Sequence, residues 1–100
     1  MNTHAKGYRR EYQAKLLLMA EGWLVDRKNA VRRGSNDFFF LFDLVAIRGN
    51  ECMFVQVKSS RSPALASVRD ILKWKKETGV SLPCQVWYKA NRKPWVVLDA

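Results

Sequence analysis

Histidine and cysteine are scarce in this chain. His4 is the single histidine, and Cys52 and Cys84 are the only cysteines. Neither type has the paired spacing that holds zinc, so a zinc site is excluded as a reading. Two isolated cysteines make no disulfide framework, and no secretory leader is read at the start. The expectation is a reducing, cytoplasmic setting, with a prokaryotic, phage or viral source conceivable. Long apolar runs are lacking too. The longest, residues 38–42 running on toward Ile47, is interrupted by Asp43, so no membrane span is read. Repeats, low-complexity tracts and linkers are absent, so residues 1–100 read as a single soluble domain.

Acid is the other shortage: nine Asp and Glu stand against eighteen Lys and Arg, for a net charge of +9. Ten of the cations precede Ser59 and eight follow it, so the excess runs along the whole chain. Such a footprint favours a polyanion, most simply nucleic acid, over a neutral small molecule. A generic basic surface, or a ribosome- or RNA-associated protein, is the competing reading. The aromatic-rich sheet motifs of single-strand RNA readers are missing, although the interleaved Trp and Lys residues leave RNA open. Hydrophobic residues make up 48% of the chain, which excludes a disordered one.

Residues 8–22 have helical spacing. Tyr8, Tyr12, Leu16 and Met19 share one stripe, expected to face the core, and Gly22 is a natural stop. Strands are predicted over residues 23–31 and 38–47, joined by the polar loop 32–37. A turn at Gly49-Asn50 leads into a third strand over 52–58. Residues 59–66 read as a connection. Ser67 with Asp70 resembles a capping box opening a helix over 68–78, ended by Gly79. Two strands follow, over 84–89 and 94–99. The first three strands suit a meander, and the second helix a crossover returning to the sheet.

Asp43, Gln56 and Lys58 are the anomaly. All three interrupt apolar strands that a tight turn makes neighbours. Alternation puts Gln56 and Lys58 on one face of their strand, and Asp43 meets them if it shares that face with Leu41 and Val45. Carboxylate and amide oxygens with a backbone carbonyl, such as that of Val57, make a hard-oxygen site of the kind Mg²⁺ favours. Lys58 beside it suits activating a water or neutralising phosphate charge. The plainer reading is a solvated polar face with Asp43 paired to an arginine. A carboxylate amid apolar neighbours is costly unless paired or metal-bound, and that keeps the site reading alive. Glu11, at the border of the helical stripe, can reach over a sheet edge. A solvated Glu offsetting Arg9, Arg10 and the helix dipole is the alternative.

The run YRREYQAKLLLMAEGWLVDRKNAVRRGSNDFFFLFDLVAIRGNECMFVQVKS resembles the PD-(D/E)XK nuclease superfamily, and within it the archaeal-type Holliday junction resolvases. The resemblance implies an α/β restriction-endonuclease-like αβββαβ core, a mixed central sheet flanked by helices. It implies a Mg²⁺-dependent endodeoxyribonuclease, with Mn²⁺ a substitute, acting as a homodimer that nicks four-way junctions in pairs. Carried over by position, Glu11, Asp43 and Gln56 become metal ligands and Lys58 the catalytic lysine. Ser35 lies near the scissile phosphate, and Arg9, Arg10, Lys28, Arg32, Arg33 and Arg61, with Lys6, meet the DNA backbone. Two departures stand out: Gln56 replaces an acid, and Phe42 rather than Pro precedes Asp43. Gln-x-Lys also occurs in the VRR-NUC branch, so a flap or nicking nuclease is the second expectation. A DNA-binding module that has lost its chemistry is the third.

Overall fold

The Gly49-Asn50 turn organises the sheet. Gly49 adopts φ +60°, a left-handed conformation that favours glycine, and Arg48 and Glu51 pair on either side of it. In the computed structural model, residues 3–27, 39 and 41–100 are described, with side chains from residue 8 onward. The elements are α1 (Thr3–Ala20), β1 (Leu24–Arg27), β2 (Leu44–Arg48), β3 (Glu51–Lys58), α2 (Arg61–Thr78), β4 (Cys84–Tyr88) and β5 (Val96–Asp99). The strands form one sheet in the order β1-β2-β3-β4-β5. β1–β2, β2–β3 and β4–β5 are antiparallel, and β3–β4 is parallel with α2 as the crossover. This is the expected mixed α/β core, with the meander and the crossover both present.

A core layer lies on each face of the sheet. On one, Ala14 and Leu18 of α1 pack with Leu44, Ala46, Met53, Val55, Val57 and Trp87. On the other, Ala64 and Ile71 of α2 pack with Phe42, Cys84 and Val86, flanked by Phe54 and Tyr88. Alternation along β3 divides it accordingly: Val55 and Val57 serve the α1 layer, Phe54 the α2 layer. Trp87 is buried and stacks edge-on with Trp95 at 5.7 Å, and Trp74 packs on Phe39 and Phe42. These rings belong mainly to the core. Cys84 is buried and Cys52 partly so, both as free thiols. Burial pushes the Cys84 thiol up, against the opposing charge of Lys75.

Three expectations fail here. The stripe Tyr8, Tyr12, Leu16 and Met19 does not face the core; all four side chains are about half exposed. α1 is rotated so that Glu11, Ala14 and Leu18, at i, i+3 and i+7, are buried instead. Small Ala14 permits close approach to the sheet, and the ion pair of Glu11 with Arg27 on β1 fixes the rotation. The second strand starts at Leu44 rather than residue 38. Leu41 lies in a turn, Phe42 makes only an isolated bridge and Asp43 occupies a bend. Finally, α2 opens at Arg61, seven residues before the expected start at Val68, with Ser60 as its N-cap. Pro63 falls in the first turn, where no amide is required, and Ser67 is buried in the helix interior. Gly79 does end α2, at φ +76° with its amide donating to the Lys75 carbonyl.

The C-terminal end of α1 is tied to the hairpin by Arg48. Its guanidinium lies 4.3 Å over the Trp23 ring and donates to the Glu21 carbonyl at 3.1 Å. The first strand is observed over Leu24–Arg27, with Trp23 preceding it; residues 28–31 of its expected span, like the loop 32–37, lie outside the described residues.

Candidate active site

Asp43 stands where the chain is about to enter β2. Its amide donates to the Val55 carbonyl at 2.9 Å. Its Oδ2 accepts the Val57 amide at 2.7 Å. The carboxylate is 2% exposed and takes the place of a ladder partner for β3 beyond the point where regular pairing with β2 stops. Val57 separates Gln56 from Lys58, so this bond fixes Asp43 against the Gln-x-Lys element that the hairpin was expected to bring near it.

Gln56 is buried. With its amide nitrogen donating to the Leu41 carbonyl, its oxygen accepts from Lys58 Nζ at 3.2 Å. Gln56 pairs with Val86 and Lys58 with Tyr88 across the parallel ladder. Both side chains therefore rise on the α2 side of the sheet, beside the layer that holds Val86 and Tyr88. The Lys89 amide donates to the Lys58 carbonyl, extending β4 past the site at 3.4 Å. Lys58 itself is half-buried.

Glu11 comes from the opposite layer. It is 8% exposed, and its Oε2 accepts from Arg27 Nη2 at 3.1 Å. The Arg27 guanidinium lies 4.0 Å over the Tyr8 ring. Burial pulls its pKa down, but hydrogen bonding to Tyr8 and Glu11 and the Glu11 charge outweigh that, leaving it raised. The reading of Glu11 as a solvated residue offsetting Arg9 and Arg10 is thereby corrected. Arg27 is the residue the sequence did not single out: on a four-residue strand nothing local marks it as the partner of a helix sixteen residues earlier.

Of the expected DNA contacts, Arg9 and Arg61 are exposed. Arg10 is half-buried and donates to Gln13 and, across the fold, to Asn91 Oδ1 at 3.2 Å. Lys28, Arg32, Arg33 and Ser35 lie outside the described residues, as does the Lys6 side chain. Among the described residues no three of His, Cys, Asp and Glu gather closely enough to hold a metal ion. The donors present are two buried carboxylates, Asp43 and Glu11, and the Gln56 oxygen. These are hard-oxygen donors and suit Mg²⁺ or Mn²⁺ in kind. Asp43 and Gln56 are joined through the β3 backbone, while Glu11 approaches from the α1 layer.

The sheet order, the parallel crossover and the two flanking helices define a mixed α/β fold. Among solved structures the chain is similar to Hjc, a Holliday junction resolvase from the archaeal hyperthermophile Archaeoglobus fulgidus. The TM-score is 0.63 at 21% identity, over 93% of this chain and 76% of that one. At that identity the likeness carries the fold. No family model matches the chain, and no curated protein matches it in sequence.

Proposed function

We propose that the protein is a metal-dependent, structure-selective DNA endonuclease that makes paired nicks in four-way junctions. The observation that carries this reading is the bond from the Val57 amide to the Asp43 carboxylate, which seats a buried acid against Gln56 and Lys58. The shared fold with a Holliday junction resolvase and the net charge of +9 support it. Residues 1–100 act as one nuclease-like domain, working as a homodimer because two symmetric cuts require two sites.

Asp43, Glu11, the Gln56 side-chain oxygen and the Val57 carbonyl would hold Mg²⁺ or Mn²⁺. When bound, the ion supplies Lewis-acid polarisation of the scissile phosphate. Lys58, held by the Gln56 oxygen, presents an ammonium to charge developing on the phosphate oxygens. Asp43 fixes the end of β3 and so the direction in which Lys58 leaves the sheet. Arg9, Arg10 and Arg61, with Lys28, Arg32, Arg33 and Ser35, position the DNA backbone without reading its sequence. Such an enzyme works in the cytoplasm, on recombination or repair intermediates. A flap or nicking activity on nicked duplex is the variant of this reading that Gln56 supports.

The pairing of Glu11 with Arg27 favours a second reading, a junction-binding module without cleavage. One experiment separates them: the protein is incubated with a labelled four-way junction and a matched linear duplex, with Mg²⁺ or with EDTA. Metal-dependent symmetric nicks in the junction alone are expected of the resolvase. Unpaired cuts in flaps or nicked duplex identify the nicking variant, and tight binding without cuts in Mg²⁺ or Mn²⁺ identifies the binder.

A further inference from the structure

The outward face of α2 carries a line of cations. α2 spans 18 residues, and Arg61, Arg69, Lys73 and Lys76 are all exposed. At about 100° per residue they fall within an arc of roughly 120°. The buried residues Ala64, Ser67 and Ile71 lie on the other side. Asp70 and Glu77, the two acids of the helix, sit on the flank of the arc. Of the four cations, Lys73 alone pairs with a described acid, Glu77, at 3.9 Å; both side chains are more than half exposed, so that pair is easily exchanged for another anion. Along the axis the steps from Arg61 to Arg69, Lys73 and Lys76 are about 12, 6 and 4.5 Å, a line of roughly 22 Å.

The line begins at the candidate site. Only Ser59 and Ser60 separate Lys58, at the end of β3, from Arg61, at the first turn of α2. A phosphate at Lys58 therefore has the outer face of α2 as its continuation toward the opposite end of the sheet.

We infer that the outer face of α2 is a second nucleic-acid contact, a track of Arg69, Lys73 and Lys76 that follows the phosphates of one duplex arm leaving the Lys58 site. Its ligand is the sugar–phosphate backbone, and its role is to set the direction of that arm. The inference rests on the proposed nuclease reading for the position of the arm. The cationic contact itself can be measured without cleavage.

The test uses Arg69→Ala, Lys73→Ala and Lys76→Ala combined in the full chain. Alanine is the best helix former and all three sites are exposed, so α2 is retained. A melting curve and circular dichroism check this. A second variant, Arg69→Lys with Lys73→Arg and Lys76→Arg, keeps the charge. Junction binding is titrated in EDTA from 50 to 200 mM NaCl. Losing three phosphate contacts lowers the log–log salt slope by about 2.7, so the affinity ratio between those two salt concentrations shrinks about 40-fold. The charge-keeping variant retains the wild-type slope.

An unchanged slope in the alanine variant overturns the track even if affinity falls, because a remote charge acts through the field without releasing counterions from phosphate. If the wild type cuts junctions while the slope is unchanged, the track fails and the nuclease reading stands. If the slope falls but the wild type cuts nothing, the track stands and the nuclease reading fails. Absence of wild-type binding overturns both.

Discussion

The Val57 amide donates to Asp43 Oδ2 at 2.7 Å inside a site where the carboxylate is 2% exposed. One side chain thus closes the hydrogen-bond ladder of β3 and supplies the acid of the proposed site. The two roles separate by substitution. Asp43→Asn keeps an oxygen that can accept from Val57 and should preserve most of the stability. Asp43→Ala leaves a buried amide unsatisfied and should cost about 2 kcal/mol more, read in urea melts. Both should abolish junction cutting. Asp43→Asn should hold or tighten binding, because a negative charge near phosphate is removed. Equal melts for the two variants would sever the structural half of this assignment.

With its amide turned to donate to the Leu41 carbonyl, Gln56 presents its oxygen to Lys58 Nζ at 3.2 Å. Lys58→Ala should remove cutting and keep most junction affinity, since one charge among eighteen cations is lost. Gln56→Glu places a second acid next to Asp43. It should lower the Mg²⁺ concentration needed for half-maximal cutting several-fold, as carboxylates hold hard cations more strongly than amides. A higher metal requirement in Gln56→Glu would remove Gln56 from the ligand set.

Glu11 and Arg27 form a largely buried pair, with side-chain exposures of 11% and 15%. Arg27→Leu takes away the cation that meets the Glu11 carboxylate and the face of Tyr8, and should destabilise the fold by about 2 kcal/mol. Glu11→Gln can still accept from Arg27, so it should lose less than about 1 kcal/mol. If Glu11 serves the metal, that mild variant nevertheless cuts poorly. Full cutting by Glu11→Gln would restrict Glu11 to anchoring α1.

Cys84 links the α2 layer to pH. Its thiol is held above the ordinary value of 9.0 by burial. The folded state therefore prefers the protonated thiol. The associated stability is complete below the ordinary thiol value and is lost as pH rises through the folded one. Thermal melts between pH 8 and 10.5 should show a fall that Cys84→Ala lessens. A thiol reagent at pH 8 should label Cys52 first, because Cys84 is 2% exposed. Equal labelling rates in the native protein would contradict this burial.

The sequence by itself determined the features that depend on neighbouring residues. The Gly49-Asn50 turn fixes the β2–β3 hairpin, because a two-residue turn with positive φ sets the register. That register brings Asp43 to the Gln56-Val57-Lys58 stretch. Gly79 ends α2 because its left-handed conformation closes the last turn. Only the tertiary structure decided which face of α1 is buried. The apolar stripe from Tyr8 to Met19 has the right spacing for a core face, yet Ala14 fits closer to the sheet and Arg27 draws Glu11 inward. The start of α2 was hidden for a similar reason. Pro63 and the run of serines read as a loop, whereas burial of Ala64, Ser67 and Ile71 against β4 made that segment helical. The second strand misled in the opposite direction, since its apolar composition continues past the point where pairing ends and Asp43 takes over from the ladder. Spacing and turn chemistry act over a few residues. Helix rotation, strand ends and ion pairs between distant elements are settled by what the rest of the chain packs against them.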